Sequence, residues 1–472
     1  MSPARNQDGV LAPDDMQQIH DVSMKILANV GVRFPDDDAI AVFKAHGVRT
    51  DGQTVYLEEK QVMDALESVP PQFTILARNP DRNVTVGDGD PVFAPGYGAP
   101  FLVDYEVGKR VPTMEDYHSL AKLAHALPNQ DMSGHLIVEP QGVPAPHLAM
   151  LHAHMVHSDK AFIGSAAGAT GARHTMEMAA IVFGEDTVKE DFVTISLINS
   201  LTPLGYSGEM LAALMEYARR RQPVVVAALA MCGSTGPVTL AGTLALQTAE
   251  LLAGIVLTQL VSPGTPVVFG STSTNIDMKS GALAIGSPEL SLMIAAHAQL
   301  AQHYGLPCRS GGSLADASFP DAQAGFESMF GLLTTVNSGV DFVLHAAGIL
   351  NAYLAFSYEK FVLDDEMCGM VRHFQRGIDV SPETLAYDVI ANVGSGGNYL
   401  MEMHTLERCR TEFWRPTLVD RSGMDAWMEG GRQRAVDRAH RRGQELLEEH
   451  QDPPLDETVA RQLEAFVDEH TV

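Results

Sequence analysis

Positive charge is scarce in this sequence. Among 472 residues, 32 Lys and Arg stand against 59 Asp and Glu, a formal net charge of −27. That deficit argues against a nucleic-acid or anionic-membrane partner, because both need clustered positive charge. The acidic excess names no substrate and reads as a solvated surface. Cysteine is sparse too. Cys232, Cys308, Cys368 and Cys409 form no C-x-x-C pair, so neither a zinc knuckle nor a thioredoxin-like motif is expected. Free thiols in a reducing cytoplasm are the default for such a chain. "MSPARNQDGVLAPDD" at the N-terminus lacks an apolar core, so no secretory signal and a cytoplasmic location are expected. The longest apolar stretch, "VTLAGTLALQTAELLAGIVLTQLV" (238–261), is interrupted by Gln247, Glu250 and Gln259 and reads as a buried helix, not a membrane span.

Several catalytic signatures are missing as well. No G-x-G-x-x-G follows a strand, which weakens a dinucleotide reading, and there is no G-x-S-x-G elbow. What the chain does have is alternation. An α/β extension fills residues 1–90: helical spacing over 14–32 and 36–46, then short strands in "TVYL", "FTILAR" and "NVTVG". From 91 to 376, apolar runs at 92–98, 133–139, 161–167, 192–199, 224–230, 266–273, 307–312 and 341–347 each precede a helical pattern. The helices are expected at 114–125, 145–157, 171–183, 207–220, 238–260, 287–304, 320–337 and 358–376. Such alternation requires a parallel sheet, since each helix carries the chain back to start the next strand. Eight units fit a (β/α)8 TIM barrel better than an open doubly wound sheet. Residues 377–472 read as a helical, charged C-terminal extension packed on the barrel.

In a barrel, function collects where strands end and βα loops begin. Those positions hold Tyr97, His135, Glu139, Ser165, Asn199, Ser271, Thr272, Ser273, Arg309, Ser310 and His345, with Phe356, Tyr358 and Glu359 after the last strand. No lysine sits at a strand end, so Schiff-base chemistry is not expected. No strand-end set of Asp, Glu and His makes a metal site, and none is expected. The histidines of "PHLAMLHAHMVHSD" fall on an outer helix with no carboxylate or cysteine to complete them and read as structural. Ser207, Thr235 or Gly236, and Ser287 read as helix caps, the latter two regions with Pro237 and Pro288 at the first helical position. In "SGGSLADASFPDAQAGFESM" (310–329), Ser310 to Gly312 face the mouth, Pro320 opens the next helix and Asp321 sits at its dipole. Asp316 stays an outside candidate. Aromatics, hydroxyls, two histidines and a few carboxylates at the mouth suit a small polar or cationic ligand.

"GGSLADASFPDAQAGFESM", "GSTGPVTLAGTLALQTAELLAGIVLTQLVSPGTPVVFGS", "FSYEKFVLDDEM" and "HTLERCRTEFWRPTLVDR" resemble segments of the trimethylamine:corrinoid methyltransferase superfamily. The resemblance implies a (β/α)8 barrel. It also implies transfer of a methyl group from a methylated amine to the cob(I)alamin of a separate corrinoid protein. The founding branch uses pyrrolysine, and this chain reads through with standard residues, so it resembles the non-pyrrolysine branch that demethylates quaternary amines. Glycine betaine is then the expected substrate, with dimethylglycine and methylcobalamin as products. A quaternary nitrogen already carries its charge and leaves as a neutral amine without a general acid. Binding, orientation and desolvation are what remain for the protein. Position in the strand count makes Tyr97, Phe356 and Tyr358 candidates for the ammonium and Arg309 or His345 for a carboxylate, with His135, Glu359 and Gly312 in the surrounding shell. No tightly bound cofactor and no metal are expected, and a homo-oligomer is. Two other readings stay open: a barrel lyase or hydrolase using Glu139, His135 and His345 as acid and base, and a non-catalytic binder of quaternary ammonium compounds.

Overall fold

Seven of the eight expected strands join one parallel sheet in the computed structural model, which describes residues 9–471. They are β1 (Val92–Pro95), β2 (Ile163–Gly164), β3 (Ile195–Asn199), β4 (Val224–Ala228), β5 (Val267–Ser271), β6 (Cys308–Arg309) and β7 (Phe342–Ala347). Their order is β1-β7-β6-β5-β4-β3-β2. Each strand from β2 onward therefore pairs its successor, and β1 lies beside the last. β1 and β2, adjacent in the count, form the two open edges of a curled half-barrel.

The strand expected between those edges, at 133–139, does not form. Gly134 adopts φ +87°, and the Ile137 N–H bonds back to the His135 carbonyl at 2.9 Å, so the chain tightens into turns. Only isolated bridges remain, Met132 to Ala161 and Ala99 to Val138. Even so, the segment touches both edges: the Asp131 N–H donates to Phe93 O of β1 at 2.8 Å, and the Ile163 N–H of β2 donates to Gly134 O at 3.1 Å.

The helices fall at Met114–Ala126, Pro146–His157, Gly168–Phe183, Gly208–Arg219, Leu240–Val261, Pro288–His303, Ala322–Asn337 and Tyr358–Gln375, close to all eight expected spans. Ser207 and Ser287 cap theirs, each accepting a backbone N–H at 3.2 Å. Two expected starts move. Pro237 precedes the cap, which is Thr239. Pro320 lies outside its helix, and Asp321 is the cap, accepting from Gln323 N (2.8 Å) and Ala324 N (3.2 Å).

The strands alternate in facing, as period 2 requires. Phe93, Val224, Val226, Val267, Phe269, Cys308 and Val343 belong to the main core with the helices. Val92, Ala94, Ile163, Ile195, Leu197, Val225, Ala227, Val268, Phe342 and Leu344 form a separate inner cluster. Phe73, Ile75, Val84 and Val86, from the antiparallel hairpin Phe73–Ile75 with Val84–Val86, join that cluster, and Ile75 bridges Phe192 just before β3. The helix Leu240–Val261 is buried between the sheet and the N-terminal helices Pro13–Asn29 and Glu59–Leu66. Its three polar interruptions are all satisfied. Gln247 takes the Ser271 hydroxyl, Glu250 takes Ser200, Thr202 and Leu204 N, and Gln259 takes Ser68 and Gly264 N. In the C-terminal part, the helices Ala435–Glu449 and Glu457–His470 pack back on the barrel helices.

Candidate active site

Alternation along β6 sends Cys308 outward and Arg309 inward. Arg309 is 2% exposed, and its Nε has no hydrogen-bond partner. No Asp or Glu pairs with it among the described residues. Burial lowers its guanidinium to about 10, with Tyr353 opposing the shift. A buried cation without an anion is costly, and buried charges are ordinarily paired.

His345 stands on the neighbouring β7. Two residues, His345 and Ala346, bulge between the partners of Ala94 and Pro95. His345 takes φ +77°, an uncommon conformation for a side-chain-bearing residue, and the bulge re-aims its ring. The Tyr97 backbone N–H donates to its Nδ1 at 3.1 Å. That fixes the tautomer: Nδ1 accepts, and Nε2 carries the proton as a donor. Burial, then the charge of Arg309, hold the imidazole well below its ordinary value, so it is neutral. Tyr353 lies against the His345 ring, with centroids 5.0 Å apart. Burial pushes its hydroxyl up to about 12, opposed by the charge of Arg309 and by Thr272.

Two glycines hold this group together. The chain leaving β6 presses onto β7, and the Ser313 N–H donates to His345 O at 3.0 Å. At Gly312 (φ +125°) a Cβ would sit 2.2 Å from that same carbonyl oxygen; at Gly311 (φ +61°) it would sit 1.8 Å from Thr335 Oγ1. Neither position admits another residue without movement. The loop is locked from behind by Lys360, whose Nζ donates to Ser313 O (3.1 Å), Ser328 Oγ (2.8 Å) and Asp364 Oδ2 (2.5 Å). Asp364 also accepts the Gly348 N–H at 2.8 Å. One buried ion pair thus fixes both loops that flank Arg309 and His345.

The other expected residues divide. Tyr97 packs, half-buried, on the inner cluster. His135 is buried, its Nδ1 is unpartnered, and burial lowers it to about 3, so it too is neutral. Phe356 is fully buried, packing on Phe361 and over Gly348. Tyr358 and Glu359 are engaged elsewhere: the Tyr358 hydroxyl donates to Asp116 (3.0 Å), and Glu359 pairs with His440 (2.8 Å) and Ser357. Both lie in the first turn of Tyr358–Gln375 and follow that helix away from the interior. Glu139 is exposed. Asp316 accepts Ile285 N and Gly286 N, and Glu327 accepts Asp316 N and Ala317 N, so these acids clamp loops. The histidine cluster also departs from expectation, because a carboxylate does complete it: Asp452 reaches His157. Tyr353, beside His345, was not among the expected residues. It sits on a lid turn between the strands Ile349–Leu350 and Ala355–Phe356, where Asn351, Ala352 and Tyr353 all take positive φ.

The curled parallel sheet thus carries a buried guanidinium on one strand and, on the next, a neutral imidazole held between the Tyr97 backbone and the Tyr353 ring. The chain belongs to the trimethylamine methyltransferase (MTTB) family, which it matches over residues 4–472. It is 48% identical over 461 residues to a glycine betaine methyltransferase of Desulfitobacterium hafniense, covering 97% of this chain and 96% of that protein. A proline betaine:corrinoid methyltransferase of Eubacterium limosum is 33% identical, with 88% of each chain covered. A trimethylamine methyltransferase of Desulfitobacterium hafniense is 32% identical, with 97% and 92% covered. Among solved structures, a hydroxylamine complex of MtmB matches with a TM-score of 0.55 at 13% identity, covering 93% of this chain and 89% of that one; the likeness is one of fold.

Proposed function

We propose that this enzyme removes one methyl group from glycine betaine and passes it to the corrinoid of a separate protein, leaving dimethylglycine. The observation that carries the reading is the buried Arg309, without an acidic partner among the described residues, on the strand next to that of His345, whose Nε2 is a donor. Together they offer a carboxylate a charge and a second donor in a dry site, where a charge-assisted pair is strong. The half-buried Tyr97 and Tyr353 supply π-faces for the trimethylammonium end. The 48% identity to a glycine betaine methyltransferase supports the same substrate.

The residues fit a nucleophile delivered from outside. The hairpin packs on the inner cluster just before β3, and Tyr97 and Tyr353, which follow β1 and β7, stay partly exposed. The cob(I)alamin of the partner protein supplies the electron pair that takes the methyl group. This chain's task is to hold the substrate. Arg309 and His345 fix the carboxylate, the aromatic rings orient the ammonium, and one N–CH3 faces the mouth. When the C–N bond breaks, its electron pair stays on nitrogen and the amine leaves neutral, so no proton donor is needed. Two features disfavour acid–base lysis. Burial lowers both His135 and His345, so each is a weak base with no proton to give as an acid at neutral pH, and Glu139 is exposed.

Hydrogen bonds from residues 131–134 to both sheet edges support a closed barrel with that segment in the eighth position. Leu400, Met401 and Tyr387, exposed by 81%, 92% and 75% on the C-terminal arm, support a homo-oligomer. A cytoplasmic location and docking of the corrinoid protein over the strands' C-terminal ends complete the proposal. A panel of betaine, proline betaine, carnitine, choline and trimethylamine, assayed with reduced cobalamin, tests the assignment. Turnover of glycine betaine is expected; turnover of another member of the panel but not of glycine betaine, or of none, refutes it.

A further inference from the structure

We propose that His157, His450 and Asp452 form a zinc-class metal site that staples the C-terminal helices to the barrel, apart from the interior site. Three separate stretches of chain supply the donors. His157 ends the helix Pro146–His157, His450 follows the helix Ala435–Glu449, and Asp452 lies in the link to Glu457–His470. His157 Nδ1 and His450 Nε2 converge on one Asp452 oxygen, at 2.6 and 3.0 Å, and all three donor atoms lie within 4.8 Å of one another. A tetrahedral zinc with bonds of about 2.0–2.2 Å separates its ligands by about 3.3 Å, so each histidine needs to move off the Asp452 oxygen by less than about 1 Å. Two imidazoles and a carboxylate suit Zn2+ and its neighbours more than Mg2+ or Ca2+.

The surroundings agree with that role. The His157 and His450 side chains are 12% and 4% exposed, whereas Asp452 is 48% exposed. The imidazoles are therefore held dry while the carboxylate leaves an entry path and an open coordination position. Once Nδ1 of His157 ligates, its ring proton sits on Nε2, which lies 2.9 Å from His118 Nδ1. A second residue accepting the ligating histidine's remaining proton is the usual outer partner of a metal site. A second group is His174, Glu177 and His470, whose His174 Nδ1 already meets His147 Nε2 at 3.0 Å.

The test uses the untagged full-length chain, stripped with EDTA. It is titrated with Zn2+ against a chromophoric chelator and separately loaded with Co2+. The wild type is expected to bind one tight equivalent and to show visible ligand-field bands of four- or five-coordinate Co2+. D452A and H450A should each lose at least about 100-fold in affinity together with the bands, because two ligands hold zinc poorly. H118A should lose about 10- to 100-fold, and H470A should change neither. EDTA should lower the Tm of the wild type but not of D452A. Absence of the Co2+ bands in the wild-type chain overturns the proposal without any variant needing to fold. Equal zinc affinity in D452A, H450A and wild type overturns it too.

Discussion

Replacing Arg309 by methionine removes the charge but keeps most of the apolar length. The side chain is 2% exposed and lacks an anionic partner. Its fall from the ordinary 12.5 to about 10 corresponds to a burial cost for the cation on the order of 3 kcal/mol, at 1.36 kcal/mol per decade. A bound carboxylate offsets that cost; methionine abolishes it. Two opposite consequences follow. In R309M, glycine betaine should lose about 2–5 kcal/mol of binding, the scale for truncating one partner of a buried charge pair, or about 30- to 5,000-fold in Kd. The ligand-free chain should be as stable as wild type or melt a few degrees higher, because an unpaired buried charge is gone. Calorimetric titration with glycine betaine and with tetramethylammonium, which has the cation but no carboxylate, separates the contributions. Only the first should weaken. Equal weakening of both ligands, or a clear drop in the Tm of ligand-free R309M, would refute the reasoning and make Arg309 a structural residue.

Tyr353→Leu should weaken glycine betaine and tetramethylammonium alike, by about 2- to 30-fold in Kd, the range of a cation–π contact, while Tyr353→Phe keeps both. Because Arg309 must hold its proton to attract the substrate, and its value is about 10, kcat/KM should be flat at neutral pH and fall as pH rises through about 10. His345 is already neutral, so no acid limb near the ordinary histidine value is expected; a bell-shaped profile centred near neutrality would favour acid–base chemistry instead. Gly312→Ala drives a Cβ to 2.2 Å from His345 O and should cut activity sharply, with a loss of stability of about 1–3 kcal/mol visible in urea melts. Lys360→Met strands a buried Asp364 and should cost about 3–5 kcal/mol, whereas K360M/D364L should recover most of it, as chemical denaturation of the pair will show.

Most of the barrel was legible because β-branched runs such as Val224–Ala228 are buried on both faces and so lack polar alternation. The segment 133–139 looked equally apolar. Its local conformation was decided by Gly134 in a left-handed turn, which apolarity does not report. Arg309 and His345 were legible through the rule that function gathers at strand ends. Tyr358 and Glu359 satisfied the same rule by count alone, yet the helix they open carries them outward. Tyr353 was not legible, because its placement depends on three consecutive left-handed residues, of which only Asn351 is a type that favours that region. Asp452 was hidden by distance along the chain: 295 residues separate it from His157, and only packing of the C-terminal helices brings the two together. That same separation left the histidine cluster looking incomplete.

The most direct test of the central claim is a single assay. Purified enzyme is mixed with chemically reduced cob(I)alamin, alone and with its corrinoid partner protein, and glycine betaine is added while the cobalamin spectrum is followed. The account predicts methylcobalamin formation with one dimethylglycine released per methyl transferred, and its loss in R309M. Absence of methyl transfer from glycine betaine in the presence of the partner protein, or dimethylglycine formed without any corrinoid, would contradict it.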